Sequence, residues 1–452
     1  MANLEVFTAI KQFRDELNKV SPTFCSAKWL QSTILLYNGE TQSCHHVPRT
    51  KIPLEGLEAN PRSIHNTPIK MLARKDLIDG KQTSECDYCW RIENLNTGHI
   101  SDRIYKSASP WAAPHLDEIV KSGTGENIDP TYLEVAFDTT CNFACMYCSP
   151  EVSSKWMEDA ELHGPYKLGD YTMHDVKWLK ESKKIPIRHN ENNPYIDAFW
   201  KWWPELYPKL HTFRITGGEP LLSKHTWRVF EWIKSNPNPN IEFAINTNLN
   251  VPRKLIEKLI EEIREIKGNV RRIKIYTSLE ATGQHAEYIR HGMNYDEFMQ
   301  NVNYVLSELP DVRIVFMTTI SALSIFTFED FLSEIINLRA KYRMDALGIS
   351  VNYLRWPMFM DIRMLNKDCM QPYLDSIIAF AESHRAVMPG FGNAKFYLEE
   401  LDQISRLREY AMQVCPDREK QVLDFHLFFK QYDKRRDLNL QETFPNLQDL
   451  LL

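Results

Sequence analysis

The chain has 452 residues, 43% hydrophobic, 25% charged and 12% aromatic, with only 16 glycines, so a collagen-like, low-complexity or broadly disordered polymer is excluded. The balance of 54 Lys and Arg against 60 Asp and Glu gives a formal charge of −6, which argues against a protein whose main task is to coat nucleic acid. Length alone suggests two to three domains, although α/β barrels use roughly 200–250 residues in one.

The first residues carry charges inside their apolar pattern and do not read as a signal peptide, and no run long and apolar enough to span a membrane follows. A cytoplasmic protein is expected. Val6, Phe7, Ile10, Phe13, Leu17 and Val20 recur at helical spacing and stop at Ser21-Pro22, predicting an amphipathic helix. Residues 23–130 show weak periodicity and frequent Pro and Asn, and read as irregular, loop-rich structure that a metal centre would staple.

From about Thr131 the texture changes to short β-rich runs separated by helical patterns. Strands are predicted at Tyr132 to Phe137, Thr212 to Ile215, Ile241 to Ile245, Ile273 to Ser278, Arg313 to Thr318 and Leu347 to Asn352. Such alternation indicates a parallel sheet, and six units make most of a barrel. The first interval is too long by about one helical unit. Its excess, Met157 to Asn193, is polar and holds His163, His174 and His189; a lid and a solvated surface insertion are both open readings. The aromatic run Phe199, Trp200, Trp202 and Trp203 has the spacing of a helix packed on the barrel. Helical patterns such as Pro372 to Ser383 and Leu398 to Met412 close the chain. The expected organisation is a small loop-rich region over 1–130, a partial (β/α)6 TIM-like barrel over 131–360 and a C-terminal helical region over 361–452.

Of nine cysteines, seven lie in the first third. In a chain without an export signal these suit metal ligands or catalytic groups better than disulfides. Cys141, Cys145 and Cys148 form C-x3-C-x2-C in FDTTCNFACMYCSP, directly after the first barrel strand. A loop of this spacing can turn three thiolates toward one point and leave a cubane one iron short of protein ligands, so that an exogenous ligand binds there. A zinc site completed by a nearby His is the competing reading. One strand later comes RITGGEPLL, with Gly217, Gly218, Glu219 and Pro220. Paired glycines let backbone approach a ligand, a carboxylate beside them suits an ammonium group, and functional residues of parallel barrels collect at this C-terminal face.

Together these segments resemble the radical SAM superfamily, with Tyr147 in the aromatic place before the third cysteine. The resemblance implies that Cys141, Cys145 and Cys148 ligate a 4Fe-4S cluster, that S-adenosyl-L-methionine chelates its open iron, and that Gly217 to Pro220 hold the methionine moiety. It implies one-electron cleavage of the sulfonium to methionine and a 5′-deoxyadenosyl radical that abstracts a substrate hydrogen. Ser278 and Arg290, in YTSLEATGQHAEYIRHG, and Asn248, in INTNLN, look like further cofactor contacts; Ser278 and Asn248 also fit chain-turning residues after a strand, and Arg290 a surface residue. The fifth strand, IVFMTTIS, departs from the glycine-containing adenine-contact pattern. A reducing donor such as flavodoxin or ferredoxin is the implied partner, with neither membrane nor nucleic acid.

Cys25 and Cys44 frame C-x13-G-x4-C around Gly39, and Cys86 with Cys89 form a C-x2-C pair, a common half-site for zinc or for iron and sulfur. The arrangement resembles the twitch and SPASM modules that hold auxiliary 4Fe-4S clusters, here placed before the barrel and with cysteines enough for one cluster. The resemblance covers roughly residues 25 to 290. Electron relay, a structural staple and a zinc site are all open for it. Cys369 and Cys415 fit either hydrogen-atom donors or small buried hydrophobes, and His45 and His46 polar loop residues. The 24 residues before Cys25 are too few for a leader-binding domain, which points to a small molecule or a leader-free peptide as substrate. A non-catalytic iron-sulfur protein for binding or electron transfer, with the barrel retained, is the rival; a zinc-bearing nucleic-acid module fits the acidic charge poorly.

Overall fold

The computed structural model describes residues 2–94, 100–125, 127–188, 190–386 and 395–451. One nine-stranded sheet organises it: β1 (Gln31–Leu35), β2 (Glu40–Gln42), β3 (Thr50–Lys51), β4 (Tyr132–Ala136), β5 (Thr212–Thr216), β6 (Asn238–Asn246), β7 (Val270–Ser278), β8 (Arg313–Ile320) and β9 (Leu347–Tyr353). Their spatial order is β9-β8-β7-β6-β5-β4-β1-β2-β3. Strands β4 to β9 are parallel and sequential, as the alternation of strand and helix predicts, and make a largely parallel sheet of the partial-barrel kind followed by C-terminal helices.

The region 23–130 differs from its expected irregular character. Its β1 pairs in parallel with β4, from Gln31 opposite Tyr132 to Leu35 opposite Ala136, and β2 and β3 extend the sheet antiparallel. Ile34, Leu36, Ile52, Leu57 and Ile64 enter the same core as the barrel residues. These strands escape periodicity because β1 is buried along its whole length and the others have only three and two residues. The opening helix, Ala2–Val20, ends where Ser21-Pro22 predicts, and its Phe13 and Leu17 join a satellite cluster around Trp29.

Along the barrel strands, alternate side chains face opposite layers. Leu133, Val135, Phe213, Ile215, Phe243, Ile275, Phe316 and Ile349 are buried in the core beneath the helices. Phe230 meets Phe243 edge-on at 5.3 Å, and Phe331 meets Phe316 at 5.8 Å. Their neighbours Glu134, Arg214, Glu242, Asn246, Lys274, Tyr276, Arg313 and Ser350 are only partly buried, so the other face of the sheet is polar. The helix Pro194–Leu206, capped by Asn193 with Pro194 at its first position, buries Phe199, Trp202 and Trp203; Trp203 lies 4.7 Å from Phe213.

The segment 157–193 holds the end of the helix Ser154–His163, a small hairpin (Tyr166–Lys167 with Thr172–Met173) and the helix Val176–Glu181. It docks on the helix Arg418–Arg436: Gln431 accepts from Lys167 N at 3.0 Å and Asp424 from Gly169 N at 2.8 Å. His174 packs on Trp156 at 4.4 Å, His163 is exposed, and His189 lies outside the described residues.

The helix Leu398–Ala411 closes the edge at β9. Ile349 N donates to Glu400 Oε1 at 3.0 Å and Val351 N to Gln403 Oε1 at 2.8 Å, so carboxylate and amide oxygens stand in for a further strand. Glu400 also receives a two-pronged pair from Arg339, at 2.7 and 2.9 Å, with side-chain exposures of 5% and 0%. Removing one partner leaves an uncompensated buried charge. Glu400→Ala is expected to cost about 3–5 kcal/mol in urea unfolding, whereas replacing Arg339 and Glu400 together by Met should cost less than the sum of the single changes.

Candidate functional site

Cys141, Cys145 and Cys148 follow β4 directly, on the side where the parallel strands end. Their loop is held by backbone. Ala144–Cys145 pairs antiparallel with Arg290–His291, Met146 N donates to Ile289 O at 2.8 Å, and Cys148 N to Cys145 O at 2.9 Å. Ser154 Oγ accepts from Cys141 N at 3.0 Å, and Trp156 Nε1 donates to Cys145 O at 2.8 Å. The SSKW segment therefore clamps the loop from behind. The three thiols are close enough to act on one another, and burial pushes Cys141 up to about 12 and raises Cys145 and Cys148 as well. They remain protonated until a metal displaces the protons.

The Gly217-Gly218 pair ends β5 against the entry to that loop. Gly217 has φ +127°, and a Cβ on it would stand 2.8 Å from Asp138 O; one on Gly218 would stand 2.3 Å from Thr140 O. Glu219 N completes the contact, donating to Thr140 O at 2.7 Å. The glycines' close approach is thus to the neighbouring chain segment. Glu219, 1% exposed, directs its oxygens at Leu221 N (3.0 Å) and Asn248 N (2.6 Å). Burial lifts its carboxyl to about 7 against the pull of those N–H donors. Its task here is to tie the end of β5 to the end of β6.

Asn248 carries the tie onward, its Nδ2 donating to Asn142 Oδ1 at 2.8 Å inside the cysteine loop, and Asn142 Nδ2 donates to Asn250 O at 2.9 Å. Ser278 closes β7 in register with Met317. Arg290 is buried, not superficial. Its Nη1 lies 3.9 Å from Cys145 Sγ, and its Nη2 donates at 2.5 Å to Glu280, which also accepts from Tyr147 OH at 3.2 Å. Sequence reasoning missed Glu280, Asn142 and Asn250. Glu280 follows Ser278 by two residues at a strand end, a position that could have marked it.

The second cysteine set also comes together. Cys25, Cys44, Cys86 and Cys89 line one cavity, with Lys28, Arg103, Lys106 and His46 around it. Lys106 Nζ donates to Cys44 Sγ at 2.9 Å. Lys28 is ion-paired with Glu85 and Arg103 with Glu93 at 2.9 Å, and His46 Nε2 lies 2.7 Å from Asp102 Oδ2. Burial pushes the Cys25 thiol up to about 11 and the Cys89 thiol up to about 12. Four thiols ringed by cations suit an anionic metal-thiolate centre. Among the described residues no three His, Cys, Asp or Glu side chains converge tightly enough to hold a single metal ion. A tetrahedral zinc site would bring its thiolates within about 3.8 Å, given Zn–S bonds of about 2.3 Å; a cubane spaces them more widely.

Cys369 lies half-buried in the helix Lys367–Ser383, and Cys415 is buried with its thiol 3.6 Å from Pro416 O. No helix among the described residues is long and apolar enough to cross a membrane.

No protein-family model matches the chain, and no curated protein sequence does. Among solved structures it is similar to Streptococcus suis SuiB, determined with S-adenosylmethionine bound. The two are 14% identical, the match covers 78% of this chain and 69% of SuiB, and the TM-score is 0.32.

A methyl group on Gly218 has to displace the carbonyl of Thr140, one residue from Cys141. Gly218→Ala is therefore expected to lower the iron taken up on anaerobic reconstitution, with the circular dichroism of the fold retained.

Proposed function

We propose that the chain is a radical SAM enzyme carrying a catalytic 4Fe-4S centre on Cys141, Cys145 and Cys148 and an auxiliary 4Fe-4S centre on Cys25, Cys44, Cys86 and Cys89. The observation that carries the reading is the docking of the three-thiol loop on Gly217-Gly218, which puts two motifs about seventy residues apart into backbone contact at the C-terminal ends of adjacent strands. The donor set fits: three half-buried thiols on one loop, spaced too widely for a single metal ion among the described residues, suit a cubane that keeps one coordination position for an exogenous molecule. When bound, the cluster and S-adenosylmethionine would supply one-electron cleavage of the sulfonium and a carbon radical able to abstract hydrogen.

The protein's own work is orientation and exclusion of water. Glu219 and Asn248 fix the ends of β5 and β6 relative to the cysteine loop. Glu280 holds the Arg290 guanidinium beside Cys145, where a fixed cation favours the anionic thiolate form. The parallel pairing of β1 with β4 sets the separation of the two thiol sets: Cys25 precedes the start of β1, and Cys141 follows the end of β4. The five paired rows between those two ends span about 13 Å along the strands. That span suits electron relay past a substrate lying on the polar face. The substrate is a small molecule or a peptide, and the electron donor a flavodoxin or ferredoxin.

Anaerobically reconstituted protein should hold about eight iron per chain, falling to about four when Cys86 and Cys89 are replaced by Ala. With dithionite and S-adenosylmethionine it should form 5′-deoxyadenosine, and the Cys141→Ala, Cys145→Ala, Cys148→Ala triple variant should form none. A fully loaded, reducible protein that yields no 5′-deoxyadenosine would overturn the catalytic reading in favour of binding or electron transfer.

A further inference from the structure

The polar face of the sheet is layered. One row of register neighbours runs Thr33, Glu134, Arg214, Ala244, Lys274, Arg313 from β1 to β8. The next row toward the cysteine loop carries Ala136, Thr216, Asn246, Tyr276, Val315 and Gly348, mostly small side chains. A charged floor therefore lies under a layer of small residues, below the three-thiol loop. On the β5–β7 side Arg214 fills that layer, its guanidinium 4.0 Å over the Tyr276 ring; toward β8 and β9 the layer is Val315 and Gly348.

The floor's charges do not cancel. Arg214 lies 3.8 Å from Glu134 and donates from Nε to Asn246 at 2.7 Å, and Lys274 is paired with Glu242 at 2.8 Å. Arg313 has no ion pair and no side-chain hydrogen bond among the described residues, and its Nε is a buried donor without an acceptor. It stands in register beside Lys274, a placement of like charges that destabilises a sheet unless something answers it. Gly348, in register with Val315 one row further on, makes room for its side chain, since a Cβ there would come within 2.7 Å of Arg313 Nη2. Its Nε is closed off against Gly348, but the half-buried guanidinium carries a charge that no carboxylate answers among the described residues, and such a group suits an oxyanion.

Building on the catalytic reading above, we infer that Arg313, seated over Gly348 and beside Lys274, binds a carboxylate or phosphoryl group of the substrate at the floor of the cleft. The substrate is thus an anionic molecule, held by its charged end with the rest reaching up through the small-residue layer toward the three-thiol loop.

The test is calorimetric titration of the anaerobically reconstituted full chain, at low ionic strength, with inorganic phosphate and separately with succinate. Saturable binding of either is expected, the tighter one naming the group. Arg313→Gln should weaken it at least about tenfold, the scale of one charge-assisted contact. Gly348→Ala, which displaces the guanidinium without removing its charge, should weaken it in the same direction and serves if Arg313→Gln fails to fold. Binding of neither anion by the unaltered protein, or unchanged binding in the folded variants, overturns the inference. The change that S-adenosylmethionine produces in the cluster's electron paramagnetic resonance spectrum should persist in Arg313→Gln. Its loss there would move Arg313 to the cofactor and overturn the substrate role. Anion binding lost on substitution, in a protein that never responds to S-adenosylmethionine, would preserve the anion site and remove the catalytic reading.

Discussion

Two carbonyl-lined turns meeting without side chains between them set the rest of the site. The Gly217-Gly218 backbone lies so close to Asp138 and Thr140 that no β-carbon fits, and the hydrogen bond from Glu219 N to Thr140 O draws the contact tight. Everything that positions the three thiols is referred to that contact. The Asn248 amide and Glu219 carboxylate extend it to β6, and Arg290 with Glu280 fixes the opposite side of the loop. Three strands thus locate one short loop, more rigidly than its own sequence could.

The N-terminal four-cysteine region is welded to this frame rather than appended. Because β1 pairs with β4 over its full length, residues near Cys25 and residues near Cys141 share two hydrogen-bonded strands. The cations around the four thiols differ in how far they are already engaged. Lys28 and Arg103 each have a carboxylate, whereas Lys106 donates to Cys44 Sγ itself. A positive charge at that distance stabilises added negative charge on a metal-thiolate centre, which raises its reduction potential.

Much of the barrel was legible because its strands alternate with amphipathic helices and carry β-branched runs such as Ile273 to Ser278 and Arg313 to Thr318. The six strands lie where the pattern puts them, the first ending one residue early at Ala136 and the others longer by one to a few residues. The N-terminal strands were not legible, since uniform burial of Gln31–Leu35 removes the period-two signal and two-residue strands have none. Both cysteine sets were readable from spacing. The residues that orient them were not: Glu280, Asn142 and Lys106 are ordinary polar residues in sequence, and only the fold brings them to Arg290, Asn248 and Cys44. Arg290 illustrates the limit from the other side, its ion pair with Glu280 arising from a turn of ten residues that no periodicity encodes.

An open barrel leaves two unpaired rims, and each is a template on which another chain could add a strand. Here the rim at β9 is occupied by Glu400 and Gln403, whose side chains take the N–H groups that a foreign strand would need. The rim at β3 is two residues long and carries Lys51. The molecule therefore resists edge-to-edge polymerisation and strand exchange while keeping its barrel unclosed, and the gap does not become a seam for aggregation.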